Sequence, residues 1–249
     1  MDRPVIAFDI ETIPDPAIGR RRDGLVGTDE EVVREMVRRR VEETEGGSEY
    51  PQLPWQRVVC VCVTILDTQG CEIRHLGGAP LDERSHVEAL YRLVGERAPL
   101  LVSWNGRAFD LPVLRYRALA LGVAAPGFYH RKEELHVDLM YELSSHGQTR
   151  RTGLRTISEL LDLPAKRFAD KPVWEHVIAG QIDRVVEYCK LDTVDTLLVY
   201  LAWAHHEGRL DTHALVAAVE RVRAAVTRES DEGWRPIEAA LERWPAWAR

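Results

Sequence analysis

The sequence is poor in the features that mark several large protein classes. Its longest strongly apolar stretch, residues 58–66, is nine residues long. A membrane-spanning helix needs about 20, so no transmembrane span is expected. The opening Met-Asp-Arg-Pro reaches a carboxylate at Asp9, unlike a secretory leader. Cysteine is scarce: Cys60, Cys62, Cys71 and Cys189 form no Cys-x-x-Cys pair, and no second half of a zinc site follows. They read as reduced thiols packed as small hydrophobes, which places the chain in the cytoplasm. Positive charge is also short, with 33 Lys and Arg against 40 Asp and Glu and a net charge of −7. A general nucleic-acid coat protein would be basic. No Gly-rich Walker loop supports an NTPase, and no Gly-x-Ser-x-Gly elbow supports a serine hydrolase. None of the nine histidines lies in a His-Glu-x-x-His arrangement. His205 and His206 sit at an expected helix end, where a surface or dipole role fits.

What the sequence does contain is globular. With 249 residues and 45% hydrophobic content, it suits one large domain or a domain plus an appendage. Residues 5–10 (VIAFDI) read as a strand in a central position, stopped by a loop with Pro14 and Pro16. Residues 28–43 carry Val32, Val33, Met36, Val37 and Val41 at helical spacing. We read 15–55 as an insertion between two strands. Residues 57–66 and 71–76 form an expected hairpin. Further strands are expected at 100–104 and 135–139, with helices at 82–97, 110–121, 154–161 and 182–204. Strands first, then strands alternating with helices, give an α/β fold with a mixed sheet. The tail from Leu210 onward, with Trp234, Trp244 and Trp247, is expected to be helical and to pack on the rest. The expected organisation is therefore a unit over 1–209 and a helical extension over 210–249.

Three motifs carry candidate chemistry. Asp9 and Glu11 lie two apart on a strand and so share a face. Two carboxylates beside an apolar run are costly to bury without partners. Tyr188 and Asp192 stand four apart on the expected long helix and stack on one side of it. In SWNGRAFDLP, a strand ends, a Gly-containing loop follows, and Asp110 opens a helix with Pro112 in its first turn. That position suits an N-cap as well as a metal ligand.

Taken together, FDIET, WNGRAFDLP and YCKLD resemble the three motifs of the DEDD exonuclease superfamily. The tyrosine four residues before the last Asp makes the resemblance one to the DEDDy branch, nearest the proofreading domains of family B DNA polymerases and the stand-alone predicted exonucleases related to them. It covers roughly residues 4–207. It implies a ribonuclease-H-like fold, a five-stranded mixed sheet flanked by helices, and no polymerase domain is expected beside it. It implies that Asp9, Glu11, Asp110 and Asp192 bind metal and that Tyr188 positions the attacking water. Asn105 and Phe109 fall at motif positions near the substrate, and Asp138, in His136-Val137-Asp138-Leu139, at a supporting acidic position.

Such chemistry suits a phosphodiester, a poor electrophile with a poor leaving group. Two divalent ions, Mg²⁺ or Mn²⁺, prefer hard oxygen ligands and balance the −4 of four carboxylates. The implied activity is 3′–5′ hydrolysis of single-stranded DNA or RNA to nucleoside monophosphates. Phosphate contacts are expected from Arg150, Arg151, Arg155, Lys166, Arg167 and Lys171. Arg20 to Arg22 and Arg38 to Arg40 are weaker candidates, since acids lie among them. Phe109 or Trp104 could stack a terminal base, although Trp104 also fits the core. Two other readings share the sequence: a non-catalytic ribonuclease-H-like module binding nucleic acid or protein, and a hydrolase of small oligonucleotides.

Overall fold

The structure, a computed structural model, describes residues 3–130, 135–164, 171–229 and 232–246. The expected positions of Lys166, Arg167 and Trp247 lie outside them. A five-stranded sheet runs in the order β3-β2-β1-β4-β5, built from β1 (Val5–Pro14), β2 (Gln56–Leu66), β3 (Cys71–His75), β4 (Leu100–Ser103) and β5 (His136–Asp138). β1 is antiparallel to β2 and parallel to β4, and β4 is parallel to β5. The sheet is mixed, as expected, with β1 at its centre.

β1 runs four residues past the expected strand. Its ladder with β2 shifts register between Glu11 and Thr12 and then continues to Pro14 opposite Gln56. The following prolines also do more than stop a strand. Pro16 is the first residue of α1 (Pro16–Asp23), and the side chain of Asp15 caps it by accepting from the Ala17 N–H at 2.9 Å. Proline suits a helix's first position, where its missing N–H has no partner to lose. α2 (Asp29–Glu43) begins with a capping box between Thr28 and Glu31. A Cβ on Gly19 would meet Met36 Sδ at 2.6 Å, so glycine lets α1 and α2 approach closely. Most of the 15–55 insertion is thus an ordered helical pair. The basic runs within it turn to local acids: Arg20 pairs with Asp29, Arg38 and Arg39 with Glu35, and Arg40 with Glu43.

The remaining helices are α3 (Glu83–Arg97), α4 (Asp110–Leu121), α5 (Leu139–Leu143), α6 (Leu154–Leu160), α7 (Val173–Ile178), α8 (Ile182–His206), α9 (Thr212–Val226) and α10 (Arg235–Leu241). Among these, α5 and α7 have no counterpart in the sequence expectations, and the expected strand at 135–139 ends at Asp138, just before α5 begins. Sheet residues Ile6, Phe8, Val61, Val63 and Leu101 pack with Leu90 of α3 and Leu114 of α4 on one side. On the other, Val5, Ala7 and Val102 pack with α8 through Leu191, Val194, Leu197, Leu198 and Leu201. Full burial of each such side chain is worth about 1.5–3 kcal/mol, which holds α8 across the sheet. The tail joins this second cluster through Leu215, Val222, Trp234, Ile237 and Trp244. Trp234 Nε1 donates to Glu187 of α8 at 2.8 Å and Trp244 Nε1 to the Leu161 carbonyl at 2.8 Å. Among the described residues, no helix is long and apolar enough to cross a membrane.

Candidate active site

The site lies where β1 outruns its parallel neighbour. β4 pairs with β1 only from Val5 to Ala7 and ends at Ser103. Beyond Ala7, β1 has no strand on that edge, and the Ile10 N–H needs another acceptor. Asp110 Oδ1 supplies it at 3.2 Å. Phe109 occupies the cap position of α4 with no side-chain cap, and Asp110 is the helix's first residue. Its carboxylate therefore reaches across to β1 while also accepting from its own N–H at the start of the helix.

The loop that delivers Asp110 is held by Asp138. Its two carboxylate oxygens accept from the Asn105 N–H and the Arg107 N–H, each at 2.9 Å, and Oδ1 also accepts from Tyr141 N at 3.3 Å. Asn105 is left-handed at φ 64°, a conformation Asn tolerates better than most residues. A Cβ on Gly106 would meet Ser103 Oγ at 2.3 Å, so the turn needs glycine. Ser103 Oγ in turn bonds His136 Nε2 at 2.8 Å. Asp138 thus touches the loop backbone, and its charge raises the proton affinity of Asp110.

From the sheet side, Asp9 and Glu11 occupy the two partly accessible positions within the otherwise buried β1, on the face beneath α8. Ligand atoms of Asp9, Glu11 and Cys189 all lie within 4.8 Å of one another. Cys189 Sγ donates to the Asp9 carbonyl at 3.5 Å. One turn further, Thr193 Oγ1 bonds Thr64 Oγ1 of β2 at 2.7 Å. These contacts seat α8 so that Tyr188 and Asp192 flank the carboxylates of β1.

Electrostatics mark the cluster as one of like charge. Burial holds the Asp9 carboxyl well above its ordinary range, and repulsion from Glu11, Asp110 and Asp192 adds to it. Glu11 is raised well above its usual value by burial first, then by Cys60, Asp192 and Asp110. Burial pushes Asp110 up to about 7, against the N–H bonds it accepts. Among the described residues, none forms an ion pair with Asp9, Glu11 or Asp110. The Tyr188 phenol is raised by burial, then by Asp192, Glu11 and Asp9, and it hydrogen-bonds Asp192. A phenol so placed keeps its proton and acts as a donor.

The other sequence candidates divide. Lys171 lies in a cavity of about 250 Å³ with Tyr50, Val173, His176 and Tyr188. Arg155 turns to Glu159 at 3.0 Å and Arg151 is exposed; no contact among the described residues joins either to the carboxylates. Trp104 packs against the core beneath α8, and Phe109 lies half-buried against the opposite core. Tyr50 escaped sequence analysis. It comes from the insertion, and burial together with Glu11 and Glu49 pushes its phenol up to about 12. Only its distance along the chain hid it, since the insertion carries no motif.

Fold and site together define a class: a ribonuclease-H-like α/β sheet with an acidic cluster on the stretch of its central strand that outruns β4. A family model described as a predicted 3′–5′ exonuclease related to the exonuclease domain of PolB matches residues 48–244. The chain belongs to that family. The matched span contains Asp110, Tyr188 and Asp192 and starts after Asp9 and Glu11. No curated protein matches the chain.

Proposed function

We propose that the chain is a metal-dependent DEDDy-type 3′–5′ exonuclease that hydrolyses single-stranded DNA or RNA from the 3′ end to nucleoside monophosphates. The observation that carries this reading is the gathering of Asp9, Glu11, Asp110 and Asp192, from three distant segments, into one buried cluster of like charge. Burying such charges is unfavourable unless cations share the site. The donor set is all carboxylate oxygen, which fits Mg²⁺ or Mn²⁺. Two such ions, held by those four residues, would supply charge neutralisation, an activated water and stabilisation of the departing 3′-oxygen.

The remaining work falls to the protein. Tyr188, kept protonated by its surroundings, holds the attacking water by a hydrogen bond rather than removing its proton. Asp110 ties α4 to β1 while offering its second oxygen to the site. Asn105 and Phe109 sit on the loop that faces the substrate, and Arg151, Arg155 and Lys171 contact phosphates. The division into an exonuclease unit over 1–209 and a helical extension over 210–249, and the cytoplasmic location, belong to the same reading.

The test is degradation of 5′-labelled single-stranded DNA and RNA with Mn²⁺, beside Asp192→Ala. The expected result is a ladder shortening from the 3′ end, lost in the variant. Binding without cleavage would instead identify a non-catalytic module. Strong cleavage of dinucleotides with little of long strands would identify a small-oligonucleotide hydrolase. Tyr188→Phe is expected to lose about 10²-fold in rate yet keep Mn²⁺ affinity, whereas Asp192→Ala loses both. Equal metal affinity in the two variants would refute this division of roles.

A further inference from the structure

Three of the four cysteines converge beneath the acidic cluster. Cys60 and Cys62 alternate onto one face of β2, opposite Glu11 and Asp9 of β1. Cys189 descends onto them from α8. The three Sγ atoms lie within 4.8 Å of one another. All three thiols are free and fully buried. Packing among Val33, Val37, Val59, Trp174 and Val185 accounts for one small hydrophobe here. It does not account for three sulfurs brought together from two elements. Nor does it account for Cys189, whose sulfur also lies within 4.8 Å of the Asp9 and Glu11 carboxylate oxygens.

Zinc binds sulfur at about 2.3 Å, which sets tetrahedral ligand sulfurs about 3.8 Å apart. Closing the three thiols on one ion therefore needs shifts of about 1 Å or less. We propose that Cys60, Cys62 and Cys189 form a three-thiolate site for one thiophilic divalent cation, Zn²⁺. Each ligating thiol releases its proton to solvent and nothing is oxidised. The soft sulfurs and the hard carboxylates form two layers that meet at Cys189. Zn²⁺ in the lower layer displaces the Cys189 proton and with it the hydrogen bond from Cys189 to the Asp9 carbonyl. A consequence that rests on the exonuclease reading is inhibition by thiophilic cations at concentrations where Mn²⁺ supports activity.

The binding test does not depend on activity. Reduced full-length protein is titrated with Cd²⁺ in excess Mg²⁺, reading the ultraviolet thiolate-to-cadmium charge-transfer band. The expected band saturates at one Cd²⁺ per chain. Cys71→Ala keeps the band, and Cys60→Ala with Cys62→Ala weakens binding at least tenfold. Cys189→Ser, a conservative change, also weakens it should the double variant not fold. No band, whether Cd²⁺ is added to folded protein or present during refolding, overturns the proposal. A band in a protein that cleaves nothing with Mn²⁺ leaves the thiol site standing and defeats the exonuclease reading. Cleavage without a band does the reverse.

Discussion

Two clusters of buried charge lie at opposite ends of the same short segment, and they are solved differently. At Asp15, just past β1, Arg117 of α4 is buried with two carboxylates. It bonds Glu83 through both fork nitrogens at 2.7 Å and Asp15 at 2.8 Å. Glu83 also accepts from the Val58 N–H at 2.8 Å. Burial opposes the Arg117 charge, but Glu83 and Asp15 outweigh it and hold its pKa above the ordinary value. Six residues earlier, Asp9 and Glu11 face Asp110 and Asp192, and among the described residues Asp9, Glu11 and Asp110 meet no cation. One cluster is satisfied from within the chain and joins the insertion, α3 and α4. The other keeps its repulsion. A chain that can pair buried charges so well at one place, and does not at another, reserves the second for something from outside.

That contrast can be broken at either end. The largest effect is expected for Arg117→Leu, which strands two buried carboxylates and should cost about 3–5 kcal/mol; denaturant unfolding reads it, and a loss below about 1 kcal/mol would mean the network contributes no more than a surface pair. Asp138→Ala comes next. It removes the acceptor for the Asn105 and Arg107 N–H groups, and with it a charge that bears on Asp110. The expected loss is about 10–100-fold in metal affinity or cleavage rate, with a lower melting temperature from the N–H groups left unpaired; an unaltered rate would show that the loop holds its shape unaided.

The smallest effect is a gain. Asp110→Asn should stabilise the metal-free protein by on the order of 1 kcal/mol, because relief of buried charge is partly offset by a weaker acceptor for the Ile10 N–H. The sign follows from linkage. With its pKa raised to about 7 in the fold, Asp110 binds a proton in the native state that the unfolded chain lacks between about pH 4 and 7. Wild-type stability therefore rises as pH falls through that window, and the advantage of the variant is widest above pH 7 and closes toward pH 4. Unfolding midpoints of both proteins in chelator across that range check this, and a gap that widens on acidification would reverse the assignment.

Local periodicity made much of this legible. Asp9 and Glu11 share a face because strands alternate, and Tyr188 and Asp192 share a side because helices repeat. The mixed sheet followed from the order of strands and helices. What stayed hidden depends on distance. Asp138 looks like a neighbouring acid in sequence, yet its partners are the backbone N–H groups of residues 31 and 33 positions upstream. Asp110 reads equally well as a helix cap until β1 is seen to lack a strand beside Ile10. Pro14 and Pro16 signal a loop locally, but the β2 ladder carries the strand to Pro14 and Asp15 turns the next proline into a helix start. The convergence of Cys60 and Cys62 with Cys189 has no local signature at all.

The early edge of β1 has a further consequence, one of timing. Asp9 and Glu11 are made before the other two acids, and β2 can cover one edge of their strand soon after. The other edge waits for β4, and Asp192 arrives about 10–40 s after Asp9 at ordinary rates of translation. A nascent chain of this protein therefore holds half its acids in place beside messenger and ribosomal RNA without the helix that completes the set. Any nuclease activity switches on only once α8 has emerged and lain down across the sheet.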